Sequence, residues 1–95
     1  MAQDTILTVN KNSWTMITDA NAAIVTFQNL SDKNMQFKAT SDTTPPNSNV
    51  NGLIYEPKLG EASGDLATLF PGVTTPVRLW AKGAVNNADV YVSHA

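Results

Sequence analysis

The stretch Ala22–Thr40, AAIVTFQNLSDKNMQFKAT, decides the fold class. In its first half Ala23, Val25 and Phe27 fall on one side of an extended chain, and Ile24, Thr26 and Gln28 on the other. This is the period of two that a β-strand imposes. In its second half Met35, Phe37 and Ala39 alternate with Gln36, Lys38 and Thr40. Between the halves, Ser31–Asn34 is a short polar turn with one acid and one base. The stretch reads as an antiparallel hairpin, Ala23–Asn29 against Met35–Thr40, with one apolar face.

The same alternation extends in both directions. Upstream, Ile6–Val9 is a short apolar run, and Asn10, Lys11 and Asn12 turn the chain into a second run, Ser13–Ile17, with Trp14 on the core side. Thr18–Asn21 is a further turn, because short Asx side chains bond to their own backbone. Downstream, TSDTTPPNSNVNG (Thr40–Gly52) is a long polar loop in which Pro45 and Pro46 remove two amide donors. A loop of this length in so small a chain either contacts a partner or is a mobile excursion. Gly52–Tyr55 is a brief strand that Pro57 ends.

In LGEASGDLATLFPG (Leu59–Gly72), Leu66, Leu69 and Phe70 have helical spacing, so one helical turn or an apolar plug is expected before Pro71. Val77, Leu79 and Ala81 then alternate with Arg78, Trp80 and Lys82. Gly83–Asn87 is a turn, and Val90 and Val92 alternate with Asp89, Tyr91 and Ser93. Short strands with regular turn signals predict an all-β fold, a small antiparallel β-sandwich for which a jelly-roll-like arrangement is one form, with residues 1–95 as a single domain. Edge strands are expected near Ile6 or Val92, either pairing with another chain or capped by loops.

Composition narrows the function. The 95 residues are 42% hydrophobic and 15% charged, which suits a packed domain and not a disordered tail. Six basic and eight acidic side chains, a formal net charge of -2, make no electrostatic footprint for a nucleic-acid backbone or an anionic membrane. No cysteine is present, which removes disulfides and thiol chemistry. The opening MAQDTILTVN lacks the basic start and apolar core of a secretory signal, and no stretch approaches the roughly 18 apolar residues of a membrane span. The product is expected to be soluble where it is made.

Catalytic patterns are sparse, so no enzyme activity, cofactor, catalytic residue or metal site is expected. His94 is the single histidine and reads as an exposed tail residue. Glu56 and Glu61 flank a loop and read as surface charges, with no spacing that favours glycosidase chemistry. Asp32 and Asn34 lack the rest of a calcium loop, and Gly60, Gly64 and Gly72 do not form a phosphate cradle.

Exposed aromatic residues are the remaining candidates. If Leu79 faces inward, Arg78 and Trp80 face outward, and Tyr91 joins them from an adjacent strand. In the opposite arrangement Trp80 is the core residue and Leu79 the exposed one. Arg and aromatic side chains are enriched in interface hot spots, so Arg78, Trp80 and Tyr91, with Pro45 and Pro46 of the long loop, are the candidate interface. Sugar stacking on the aromatic rings is the alternative use of the same residues.

Four segments carry a resemblance: W-x-x-I-T-D from Trp14, AAIVTFQNLS from Ala22 to Ser31, VRLWAKG from Val77 to Gly83, and the closing DVYVSHA. Together they resemble the small all-β accessory proteins of tailed bacteriophage particles, namely head decoration, cement or head-fibre proteins, over roughly residues 5 to 93. The resemblance implies a structural virion protein, made in the host cytoplasm, that forms homo-oligomers and binds capsid protein or another virion protein. It implies no catalytic residues and no direct contact with nucleic acid or membrane. A small tail-fibre, tailspike or baseplate domain is the nearest alternative. A carbohydrate-binding module is the alternative from a different class.

Overall fold

A computed structural model describes every residue except Met1, Val85 and Asn86. Its strands are β1 (Gln3–Val9), β2 (Thr15–Met16), β3 (Ile24–Asn29), β4 (Met35–Thr40), β5 (Leu53–Tyr55), β6 (Gly60–Asp65), β7 (Arg78–Gly83) and β8 (Ala88–His94), with one short helix, α1 (Leu66–Leu69). They form two four-stranded antiparallel sheets. Sheet I has the order β1-β8-β3-β6 and sheet II the order β2-β7-β4-β5. The side-by-side pairs β1–β8, β2–β7, β3–β6 and β4–β5 are those of one long hairpin rolled on itself, its tip being residues 41–52. That is a jelly roll.

The hairpin expected from Ala23–Asn29 and Met35–Thr40 is not formed. β3 pairs with β6 and β8, while β4 pairs with β5 and β7. Alternation is preserved in both strands, but it fixes which face is buried and not which strand lies alongside. The connection Leu30–Asn34 has five residues, which reach about 17 Å when extended. That exceeds the roughly 10 Å between packed sheets. The chain therefore crosses from one sheet to the other, and the apolar faces of β3 and β4 meet across the sandwich instead of sharing one surface.

Phe27 of β3 and Phe37 of β4 meet there with ring centroids 4.6 Å apart. Tyr55 stands edge-on to both at 5.3 Å. Ile17, Met35, Leu66 and Leu79 complete the largest part of the core, with Val25, Val90 and Val92 from the inner face of sheet I.

Asn29 organises the crossing. Its Oδ1 accepts from the Ser31 backbone N–H at 2.9 Å and from Ser31 Oγ at 2.7 Å. Its Nδ2 lies 2.7 Å from the Lys33 carbonyl, 3.1 Å from that of Tyr55 and 3.3 Å from that of Glu56. A fully buried amide is tolerated here because both of its ends are satisfied.

Several expected boundaries shift. β1 begins at Gln3, three residues before the apolar run, because polar Gln3 and Thr5 still alternate in register with His94 and Val92 of β8. Of the run Ser13–Ile17 only Thr15–Met16 is strand. β6 carries no apolar alternation and reads in sequence as loop, yet it pairs with β3. Gly60 makes that possible, since a Cβ there would collide with the Phe27 carbonyl oxygen and lie 2.6 Å from Gln28 Cα.

The expected helical turn and apolar plug are one element. Asp65 caps α1 by accepting from the Ala67 N–H at 3.0 Å, and Leu66, Leu69 and Phe70 pack on the core. Val92 lies on β8, between β1 and β3, and so is not at an edge. The turn expected at Gly83–Asn87 falls partly outside the described residues.

Candidate interaction surface

The two sheets treat their outer faces differently. On β7, Leu79 and Ala81 point into the core, so Arg78, Trp80 and Lys82 lie on the outer face of sheet II. Trp80 is nevertheless only 5% exposed, Lys82 8% and Trp14 7%. The long loop folds back over them. Trp14 Nε1 donates to the Asn47 carbonyl at 3.2 Å, and Lys82 Nζ donates to that of Ser48 at 3.0 Å, with Val50 O at 3.5 Å. The ammonium also sits 4.8 Å from the centre of the Trp14 ring, a cation–π distance. Gln36 Oε1 accepts from the Gly52 N–H at 2.8 Å, and Trp80 Nε1 donates to Thr40 Oγ1 at 2.8 Å.

The result is a second, smaller layer of buried side chains outside sheet II. Trp14 is thus buried as expected but not in the core between the sheets, of which neither tryptophan is part. Residues 41–52 are a cover tied down by hydrogen bonds at Asn47, Ser48, Val50 and Gly52. Arg78, half-buried at the rim, donates through Nε to Asn21 Oδ1 at 2.8 Å. Pro45 is exposed and Pro46 half-buried.

Tyr91 does not join this group. Its strand, β8, belongs to sheet I, so Tyr91 lies on the opposite face of the molecule from Trp80. There it is half-buried in a row that crosses the sheet as Ile6, Tyr91, Gln28 and Gly60. Ile6 is 59% exposed. A second row places Asp4 beside Ser93 and Thr26, and Thr8 donates to Asp89 Oδ1 at 2.7 Å. The Asp4 carboxylate favours the protonated phenol and raises the pKa of Tyr91 above the ordinary tyrosine range. Among the described residues no loop covers this face as residues 41–52 cover the other.

Because Gly60 has no side chain, the row ends in an open groove of about 370 Å³ bordered by Tyr91, Gln28, Lys58, Leu59 and Glu61. Its polar groups already have internal partners. Gln28 Nε2 donates to the Lys58 carbonyl at 2.8 Å, and Lys58 Nζ donates to that of Leu30 at 2.5 Å. Glu61 Oε2 accepts from the Tyr55 hydroxyl at 3.1 Å. Burial, and then this bond to Glu61, push the Tyr55 phenol far above its usual range. Glu61 therefore has a structural partner, while Glu56 is exposed.

His94 departs from expectation. It is not an exposed tail residue but is buried on β8. Its Nε2 lies 2.7 Å from Gln3 Oε1 and 3.2 Å from Asp19 Oδ1, and its Nδ1 lies 2.9 Å from the Ala95 carbonyl. Gln3 in turn accepts from the Asp19 N–H at 3.1 Å and donates to the Ile17 carbonyl at 3.0 Å. Pairing of β8 with β1 up to its last residue buries the imidazole, and the side chain ties the two strand ends to the β2–β3 connection.

Among the described residues no group of three or more His, Cys, Asp or Glu side chains is placed to hold a metal ion. No helix among them is long and apolar enough to cross a membrane. Compared with protein-family models, curated protein sequences and solved structures, the chain matches none.

Ile6 and Gln28 flank Tyr91 but are not among the candidate interface residues, although alternation turns Gln28 outward and Ile6 lies near an expected edge. Within the apolar run Ile6–Val9, Leu7 and Val9 share the inner face with Thr5, which turns Ile6 outward.

Proposed function

We propose that this chain is a structural accessory of a phage particle, one that self-associates and binds the capsid surface as a decoration or cement protein. The observation that supports this reading is the bare outer face of sheet I, where Ile6 and Tyr91 form a cross-strand apolar pair among Thr26, Gln28 and Ser93. A central aromatic and aliphatic pair within a polar rim, which here includes the Asp4 and Asp89 carboxylates, is the make-up of a protein-binding patch. The virion setting rests on the resemblance of the four sequence segments. Many identical copies on one shell would turn a modest patch into durable attachment.

Carbohydrate binding in the groove beside Tyr91 is the weaker reading. Gln28 Nε2 and Lys58 Nζ, the donors beside the groove, each already give one hydrogen to a backbone carbonyl, which leaves fewer for a sugar hydroxyl.

Co-sedimentation of the purified chain with isolated phage heads tests the proposal. Saturable binding that Tyr91→Ala weakens is the expected result. Absence of binding to heads together with binding to tails would move the chain to the tail. Absence of both would overturn the virion assignment.

A further inference from the structure

We infer that the free edge of β1 pairs with β1 of a second copy, in antiparallel sense about a two-fold axis at Ile6, to make one continuous eight-stranded sheet. This deepens the assembly reading above by naming a seam, but it is argued from backbone geometry and is tested separately.

A two-sheet sandwich has four edge strands, and each exposes backbone N–H and C=O groups that template further pairing unless guarded. Three of the four are guarded here. β2 has two residues and β5 three, too short to seat a partner strand. β6 is broken by a register shift opposite Val25 and Phe27, with Ser63 in the left-handed region at φ 53°. β1 has none of these devices. It runs seven residues, pairs with β8 without a shift, and contains no Pro, Lys or Arg. Among the described residues nothing outside β8 hydrogen-bonds to its backbone groups.

The side chains of β1 indicate a second copy as the occupant. With the axis at Ile6, Ile6 meets Ile6 of the second copy, so the large apolar residue most exposed among the described residues is covered by its equal. Asp4 falls opposite Thr8, an uncharged residue whose hydroxyl already donates to Asp89, and Thr8 falls opposite Asp4 by symmetry, so no like charges stand directly opposite across the seam. On the inner face Thr5 meets Leu7. An axis at Asp4 would instead set two carboxylates face to face, which opposes pairing. Such isologous contacts are the usual basis of dimers. Across the seam the outer rows join, Gln28, Tyr91 and Ile6 of one copy continuing into Ile6, Tyr91 and Gln28 of the other. The apolar patch doubles.

Light scattering on the full-length chain during size exclusion, at about 100 µM and well above a micromolar dissociation constant, reads the outcome. A mass of twice 10.2 kDa is expected. Ile6→Lys places like charges opposite each other and should raise the dissociation constant at least about tenfold, so that on dilution to a few micromolar it runs as monomer where the parent stays partly dimeric. Because Ile6 is exposed, its circular dichroism and melting should stay those of the parent, and Ile6→Thr serves if they do not.

The chain has no native cysteine, so Ile6→Cys should cross-link to itself under mild oxidation while Asp4→Cys should not. A monomeric parent overturns the inference, as does a dimer indifferent to Ile6 substitution. A dimer that ignores phage heads leaves the seam standing and sinks the capsid reading. A strict monomer that decorates heads does the reverse.

Discussion

The outer faces of the two sheets begin from similar material and end differently. Each carries an aromatic residue in the middle of a strand, Trp80 on β7 and Tyr91 on β8, flanked by polar neighbours. Over sheet II the tip of the rolled hairpin folds back, so that Trp80, Trp14 and the stem of Lys82 lose contact with water. Over sheet I nothing among the described residues folds back, and Tyr91 and Ile6 remain accessible. Strand alternation thus settles only whether a side chain points away from the core. Whether it is available to a partner is decided by a loop that alternation does not describe.

The largest break in this comparison comes from Trp80→Ala. Truncating a buried tryptophan should lower unfolding free energy by about 3–5 kcal/mol, as for a core residue, although Trp80 lies outside the inter-sheet core. Urea denaturation with a constant m-value would check it. A cost below about 1 kcal/mol would mean that the cover is not closed in solution.

Lys82→Met comes next. It keeps much of the stem but removes the ammonium that bonds Ser48 and faces the Trp14 ring, with an expected loss of about 1.5–3 kcal/mol. Amide hydrogen exchange should rise across residues 41–52 more than in β3 or β8. Uniform acceleration would show that Lys82 supports the whole sandwich and not the cover.

Much of the fold was legible because period-two alternation is a local property. Val25, Phe27, Met35, Phe37, Val90 and Val92 all face inward as the pattern requires. Strand partners were not legible, since β3 and β4 each fulfil the pattern on separate sheets. The crossing depends on Asn29, which in sequence is one more polar residue at a strand end but in the fold holds the whole turn. β6 escaped because a glycine-rich edge strand has little to alternate. The candidate interface split for a related reason. Arg78, Trp80 and Tyr91 are close in sequence, but β7 and β8 belong to opposite sheets, and only the three-dimensional path of residues 41–52 distinguishes buried Trp80 from accessible Tyr91.

The two tyrosines extend the comparison into pH. Both phenols are raised, Tyr55 mainly by burial and Tyr91 mainly by Asp4. In the unfolded chain each titrates near the usual value of about 10. The folded state therefore holds its phenolic protons longer. The stability they contribute is full below about pH 10 and declines as pH rises toward the folded values. Ultraviolet titration should show late ionisation of both, with Tyr55 ionising only as the protein unfolds. Asp4→Asn should bring the Tyr91 transition earlier and leave that of Tyr55 unchanged. Movement of both transitions together would mean that they report global unfolding.

The smallest effect on stability is expected from Tyr91→Ala, and it is the most discriminating. Its ring rests on an uncovered face, so removing it should change unfolding free energy by no more than about 1 kcal/mol, far less than Trp80→Ala. If the bare face is a binding surface, the same substitution should weaken attachment to phage heads much more than it weakens the fold. Comparing the two variants by urea denaturation and by co-sedimentation separates the roles. Trp80→Ala should lose binding only in proportion to its unfolded fraction, whereas Tyr91→Ala should lose it while fully folded. If Tyr91→Ala binds normally, attachment must use another surface, and the exposed loop around Pro45 on the sheet II side would be the next to alter.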